Sequence, residues 1–147
     1  MEIKEVTENK KNYISLLLLA DEQEDMVDKY LEKGTMYILE DGDVKAECVV
    51  LEIDKEILEI KNIATDPKYQ GKGYGKMLID FLVEKYKGKY KKIQVGTGDS
   101  KLTVPFYEKC LFKRHHYIKN FFIDNYDHLI YEGGVLLKDM VYLEREI

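Results

Sequence analysis

The feature that most constrains this chain is the run Asp66-Pro67-Lys68-Tyr69-Gln70-Gly71-Lys72-Gly73-Tyr74-Gly75-Lys76, in which three glycines alternate with larger residues. Residues 56–65, just before it, read as a strand. From Gly73 onward, Tyr74, Met77, Leu78, Phe81 and Leu82 fall on one side and Lys76, Asp80, Glu84 and Lys87 on the other, the period of an amphipathic helix. The first N–H groups of a helix have no intrahelical partner, and the helix dipole adds positive potential there, so a strand that turns directly into a helix offers an anion site. Glycines in the turn remove the Cβ atoms that would keep an oxygen at a distance. The element is suited to a phosphate or pyrophosphate; a glycine-rich connection without a ligand is the plain alternative.

Two familiar phosphate loops do not fit. A Walker A loop ends in Gly-Lys-Ser/Thr, whereas Gly75-Lys76 is followed by Met77. A dinucleotide fingerprint has Gly-x-Gly-x-x-Gly after the first strand of a βαβ unit; here the pattern is Gly-x-Gly-x-Gly after the fourth expected strand.

The rest of the chain surrounds this turn with a mixed sheet. Residues 2–6 read as a strand, 12–20 and 24–32 as helices with Gly34 as a stop, and Asp41-Gly42 as a hairpin turn between apolar runs at 35–40 and 44–53. After the turn and its helix come a strand at 92–96, a short helix at 103–110 with Pro105 in its first turn, a strand at 112–122, a polar loop, and a last strand at 137–145. A meander followed by crossover helices gives an α/β (α+β) domain over residues 1–147, with helices on both faces of a mixed sheet.

Composition narrows the function. The 147 residues carry 23 Lys and Arg against 28 Asp and Glu, a net charge of −5 that argues against a nucleic-acid binder. The start of the chain lacks the pattern of a signal peptide, and its longest apolar stretch, residues 16–20, is too short to span a bilayer, so a cytoplasmic protein is expected. Cys48 and Cys110 lack metal-ligand spacing and read as free buried thiols. The acidic run Asp21, Glu22, Glu24, Asp25 and Asp28 is either a solvated helix face or an attraction for an amine.

Gln70, Gly73 and Gly75 resemble the acyl-CoA-binding motif Gln/Arg-x-x-Gly-x-Gly/Ala of the GNAT (Gcn5-related N-acetyltransferase) family. Asn62-Ile63-Ala64-Thr65-Asp66-Pro67 is similar to its fourth strand and turn, and Pro105-Phe106-Tyr107-Glu108-Lys109-Cys110-Leu111-Phe112 to its C-terminal helix, so the resemblance spans essentially the whole chain. It implies a mostly antiparallel sheet of six to seven strands, about four helices on its two faces, and two parallel central strands that splay apart to admit the pantetheine arm. The implied activity is acetyl transfer from acetyl-CoA to a primary amine by direct attack. The main chains of Ile63, Ala64 and Thr65 would hold pantetheine and thioester, with the Ile63 N–H facing the acetyl oxygen. Residues Gly71, Lys72, Gly73, Tyr74, Gly75 and Lys76 would take the pyrophosphate, although Lys76 also suits an ion pair with Asp80.

The same resemblance makes Tyr107 the acid for the departing thiolate, against a reading as a core aromatic. Glu59, eleven residues before Gln70, stands where histone-type members carry a general base. An exposed strand glutamate, with an ordered water as the base, is the alternative. Two positions depart from the pattern. Leu111 replaces the usual glycine before Phe112, and Asp99-Ser100 replaces an asparagine that touches pantetheine, leaving Ser100 as its substitute. His115 and His116, adjacent on a strand, should face opposite ways. His128, beside Tyr126 and Tyr131, is a candidate for acceptor binding. The competing function is a non-catalytic CoA-binding sensor. Acceptor identity stays open, and both a monomer and a homodimer are compatible with the sequence.

Overall fold

The hairpin expected at Asp41-Gly42 forms, with Gly42 at φ 85° joining strands β2 (Thr35–Asp41) and β3 (Asp43–Asp54). The computed structural model describes all of residues 1–147. Strand β1 (Glu2–Val6) pairs antiparallel with β2, and β3 with β4 (Ile57–Thr65), so the first four strands form a meander. Strand β5 (Lys92–Gly98) then lies parallel to β4. That arrangement requires a crossover, supplied by helix α3 (Tyr74–Tyr86). The last strand, β9 (Met140–Glu146), inserts between β5 and β6 (Lys113–Ile118), completing a seven-stranded sheet in the order β1-β2-β3-β4-β5-β9-β6. Only the β4–β5 pair is parallel.

Both faces of this sheet are covered. On one, Leu78, Ile79 and Leu82 of α3 and Val104 and Tyr107 of α4 (Val104–Lys109) join Cys48, Val50, Ile60 and Ile93 of the sheet in a 19-residue cluster. On the other, Leu17 of α1 (Ile14–Ala20) and Val27 of α2 (Glu24–Asp28), with Tyr30 and Leu31, cover Met36, Ile38 and Val49. Strand β3 is therefore buried through both parities of its side chains, which is why it reads as a nearly continuous apolar run. Cys48 and Cys110 are both buried and free. No helix is long and apolar enough to cross a membrane.

Several boundaries differ from expectation, each for a local reason. The helix expected over residues 24–32 ends at Asp28. Beyond it the buried Lys10 ammonium donates to the carbonyls of Leu31 (2.9 Å) and Gly34 (2.8 Å), pinning residues 31–34 in the turn that leads to β2. The strand expected over 112–122 stops at Ile118, because Asn120 takes a left-handed φ of 57° and opens helix α5 (Phe121–Asn125). Phe122 then joins Ile130 and Leu137 in a small third cluster. Gly133 and Gly134, both with positive φ, close a hairpin of β7 (Tyr131–Glu132) and β8 (Val135–Leu136). The Leu137 N–H bonds Ile130, so β9 starts at Met140 rather than at 137.

Leu111 keeps the left-handed cap despite not being glycine. Its φ is 71°, and the N–H of Phe112 reaches back to the carbonyl of Tyr107 at 3.0 Å, the long bond of a Schellman motif.

Candidate active site

Strand β4 leaves its parallel partner halfway along its length. The β4–β5 ladder runs from Ile57↔Lys92 to Ile60↔Val95 and stops, while β4 continues to Thr65 beside β3 alone and β5 continues to Gly98 beside β9 alone. This is the expected splay. The N–H of Asp66 donates to the Lys45 carbonyl at 2.8 Å, which fixes the phase of the β3–β4 ladder: the Glu47–Ala64 pair exchanges the hydrogen bonds. The N–H and C=O groups of Ile63 and Thr65 therefore point away from β3, into the gap. Gln70 supports this geometry, its side-chain amide donating to the Thr65 carbonyl at 3.3 Å.

The glycine turn closes the end of that gap. The Asp66 carboxylate accepts from the Lys68 N–H (3.0 Å) and starts a single 3₁₀ turn over Pro67–Tyr69. Gly71 (φ 80°) and Gly73 (φ 88°) are both left-handed, and a Cβ on either would meet nothing within 4 Å. They are needed for backbone direction, not for room. Gly73 is the N-cap of α3 with no side-chain cap, and the first helical bond runs from the Met77 N–H to the Gly73 carbonyl, so the N–H groups of Tyr74, Gly75 and Lys76 face outward. Gly75 has a different reason to be glycine: an added Cβ would lie 3.0 Å from the Phe106 ring, so it allows α3 to pack against α4.

Side chains around the turn divide into helpers and bystanders. Lys76 pairs with Asp80 at 2.8 Å and is tied to its own helix. Lys72 has no ion-pair partner and lies 5.7 Å from the Tyr69 ring centre. Lys45, which sequence inspection passed over, sits 3.5 Å above the same ring and also bonds Asp43. The Tyr74 hydroxyl donates to Asp41 at 3.0 Å and ties the helix start to the β2–β3 hairpin. Ser100 is spent locally: its hydroxyl accepts from the Leu102 N–H (2.9 Å), and it lines a separate hollow of about 280 Å³ with Asp99, Val104 and Arg114.

Tyr107, on α4, belongs to the core cluster that also holds Ile60 of β4 and Val95 of β5. It is 7% exposed, and its hydroxyl has no hydrogen-bond partner within the protein. Burial, reinforced by Cys110, Glu132 and Glu47, pushes its pKa well above that of an ordinary phenol, so it keeps its proton at working pH.

On the opposite side lies a cavity of about 220 Å³. Its walls combine Met26, Leu51, Phe121 and Met140 with three tyrosines, Tyr30, Tyr126 and Tyr142, and with two acids, Asp21 and Glu59, and two lysines, Lys29 and Lys61. Asp21 accepts from Tyr126 (2.6 Å) and Tyr30 (3.1 Å); burial raises its pKa, and the two phenols oppose the shift. Glu59 lines this cavity yet is fully engaged. Its carboxylate takes Lys61 (2.8 Å), Gln94 (2.6 Å) and Tyr142 (3.4 Å).

Of the acidic run, only Asp21 lines the cavity. Glu24 and Asp28 pair with Lys11. His128 bonds Glu22 (2.8 Å) and Asp127 (2.6 Å) and is not among the cavity walls, whereas Tyr126 is; Tyr131 is 59% exposed on β7. His115 and His116 do not face opposite ways. A bulge between Arg114 and His116 breaks the alternation and brings their Nδ1 atoms within 2.7 Å, and His116 stacks on Tyr142 at 4.8 Å.

The comparisons agree with this geometry. The family model described as "Acetyltransferase (GNAT) domain" matches residues 32–114, more than half of the chain. An uncharacterized N-acetyltransferase of Bacillus subtilis strain 168, YvbK, is 40% identical over 131 residues, 87% of this chain and 84% of that protein. Two solved structures superpose along nearly the whole length. A GNAT family acetyltransferase from Elizabethkingia anophelis with acetyl-CoA bound has a TM-score of 0.92 at 36% identity, covering 99% of this chain and 97% of that one. A Bacillus subtilis acetyltransferase in complex with CoA has a TM-score of 0.91 at 36% identity, covering 99% and 98%. The chain belongs to the GNAT acetyltransferase family. It is an acetyl-CoA-dependent N-acetyltransferase.

Proposed function

We propose that the splay between β4 and β5 holds the thioester of acetyl-CoA while a primary amine, entering through the Asp21–Glu59 cavity, attacks it directly. The observation that carries this reading is the phase of β4: the outward N–H groups of Ile63 and Thr65 run straight into the uncapped start of α3. One continuous track of backbone donors serves pantetheine and pyrophosphate.

The Ile63 N–H faces the acetyl oxygen, where negative charge grows as the amine adds. The amide groups from Gly71 to Lys76 take the pyrophosphate, and Lys72 and Lys45 supply positive charge nearby. Tyr107 gives its proton to the departing thiolate, a step suited to a phenol that stays protonated and has no other acceptor. Ser100 supports the start of α4 through its turn. The acceptor arrives as an ammonium ion, since a primary amine has a pKa of ~10. Asp21, which has no ion-pair partner, draws it in, while the charge of Glu59 is largely offset by its ion pair with Lys61. Because Lys61, Gln94 and Tyr142 already occupy Glu59, it is not a free base. Two buried free thiols suit a reducing compartment, and we place the activity in the cytoplasm.

A thermal-shift titration with acetyl-CoA and CoA tests the donor half, because a ligand bound only by the native state raises the unfolding midpoint as its concentration exceeds Kd. A saturable rise followed by thiol release with primary amines is the expected result. A rise with no thiol release from any amine tried would favour a CoA-binding sensor; no rise at millimolar acetyl-CoA would overturn the reading.

A further inference from the structure

Two buried groups on the α1–α2 face of the site have hydrogen-bond acceptors that the fold leaves without a well-formed partner. Both carboxyl oxygens of Glu47, which is 0% exposed, and Oδ1 of Asn62, which is 3% exposed, have no donor at full hydrogen-bonding geometry; the Ala64 N–H is the one backbone donor close enough to act on Glu47. The Asn62 assignment is forced by chemistry. Its other atom bonds the Leu17 carbonyl at 2.9 Å, and a carbonyl only accepts, so that atom is the amide nitrogen and the unpaired one is the oxygen. The same nitrogen donates to the Tyr30 hydroxyl at 3.0 Å, and Tyr30 lines the cavity.

The two groups are neighbours in the sheet. Glu47 pairs with Ala64 and Val49 with Asn62, so Glu47 and Asn62 project from one face of adjacent strands at a diagonal, about 7–8 Å apart in backbone. Between these partners lies Ile63, whose N–H points into the splay. The Glu47 carboxyl lies within electrostatic reach of both Tyr30, at the cavity, and Tyr107, on α4. Native proteins seldom leave buried acceptors unpaired, and those that persist call for a ligand or a role in chemistry.

Against the ionised Glu47 carboxylate and Asn62 Oδ1 the missing partner must be a donor of hydrogen bonds; the neutral acid carries one O–H of its own. An anion would meet lone pairs with lone pairs. A cation with several N–H groups satisfies a carboxylate and an amide oxygen together. We propose that Glu47 and Asn62 form the seat of the attacking amine, Glu47 and Asn62 Oδ1 each receiving one of its N–H groups so that nitrogen is held beside the carbonyl carbon at Ile63. This rests on the reading of the splay as the thioester site.

The proton balance follows. Burial pushes the free Glu47 carboxyl well above the usual range, against the opposing pull of the Ala64 N–H, and so favours the neutral form in the empty protein. Entry of an ammonium ion releases that proton to solvent. One N–H bond of the ammonium then breaks, its electron pair stays on nitrogen as the nucleophile, and the proton ends on Glu47. Glu59, with three donors already on it, lacks this capacity.

The test compares Glu47→Gln, Glu47→Met and Glu59→Gln with the wild type, using thiol release from acetyl-CoA with tyramine and 1,4-diaminobutane as probes. Glu47→Gln is expected to keep the acetyl-CoA thermal shift and lose about a hundredfold or more in kcat, whereas Glu59→Gln loses less than about tenfold. Glu47→Met is expected to unfold at a higher temperature than the wild type, since it removes an unpaired buried acid. Turnover by Glu47→Gln within about threefold of the wild type, which a seat filled only by water would give, overturns the proposal, and so does a lower unfolding temperature for Glu47→Met. If the wild type acylates neither probe, the unfolding comparison decides alone. A wild type that shows no acetyl-CoA shift would instead bring down the thioester reading itself.

Discussion

The donor side and the acceptor side of the proposed site are built from different material. The donor side is backbone: two outward N–H groups of β4, a turn with two left-handed glycines, and the open end of α3, all contiguous between residues 63 and 76. The acceptor side is side chains drawn from distant segments, with Asp21 before α2, Tyr30 after it, Glu59 on β4, Tyr126 after α5 and Tyr142 on β9. Backbone recognition suits a partner that does not change, because any sequence that keeps the turn keeps the site. Side-chain recognition can be altered one residue at a time, which separates choice of acceptor from binding of CoA.

Tyr107 belongs to neither set, and its substitution is expected to have the largest effect. Tyr107→Phe removes the proposed proton donor while leaving the packing of the ring among Phe106 and Phe112 in place. Loss of a positioned acid costs about 10²–10⁴ in kcat, with the acetyl-CoA thermal shift retained. An unchanged rate would remove Tyr107 from the chemistry and leave it as a core aromatic.

The comparison itself is tested by one change on each side. Tyr126→Phe deletes the 2.6 Å bond to Asp21, and a hydrogen bond to a charged group contributes about 1.5–3 kcal/mol. Steady-state kinetics should show a raised KM for the amine and an unaltered KM for acetyl-CoA. Gly73→Ala is the converse. An alanine forced to φ 88° costs roughly 1–2 kcal/mol, a strain that the turn relieves by shifting its amide groups. Half-maximal thermal stabilisation should then need more acetyl-CoA, with the amine KM unchanged. If either variant altered both constants equally, the two sides would not be separable.

The same division governs what the sequence made legible. The donor side could be read because its residues are consecutive and glycine has few other reasons to recur at that spacing. Tyr107 stood out only through the resemblance of Pro105–Phe112 to the family's C-terminal helix, since the helix pattern alone reads it as a core aromatic. The acceptor side was not readable, since nothing in the neighbourhood of Asp21, Tyr30 or Tyr142 announces that β9 will lie between β5 and β6. Glu59 was selected by spacing, but spacing does not show that Lys61, Gln94 and Tyr142 surround it. Glu47 did leave a trace: it is the one charge inside the apolar run from Ala46 to Leu51. The histidine pair was misread because a bulge has no reliable signature in one strand; it depends on how the partner strand runs.

Leu111 offers the smallest effect and the finest control on the comparison. It is 67% exposed, so its side chain contributes little burial, yet it sits at φ 71°, where a residue with a Cβ is strained and glycine is not. The cap it completes positions Phe112, which is buried, and closes the helix that carries Tyr107. Leu111→Gly should relieve the strain at the expense of a more flexible unfolded chain, leaving a net gain of up to about 1 kcal/mol. For a chain of this length that is a rise of about 2–4 °C in Tm, readable by calorimetry. Both KM values should stay as they are, because the substitution touches neither backbone donors nor acceptor walls. A fall in kcat with a raised Tm would mean that the strained cap holds Tyr107 at its working position, making Leu111 part of the boundary between the two sides rather than a neutral departure from glycine.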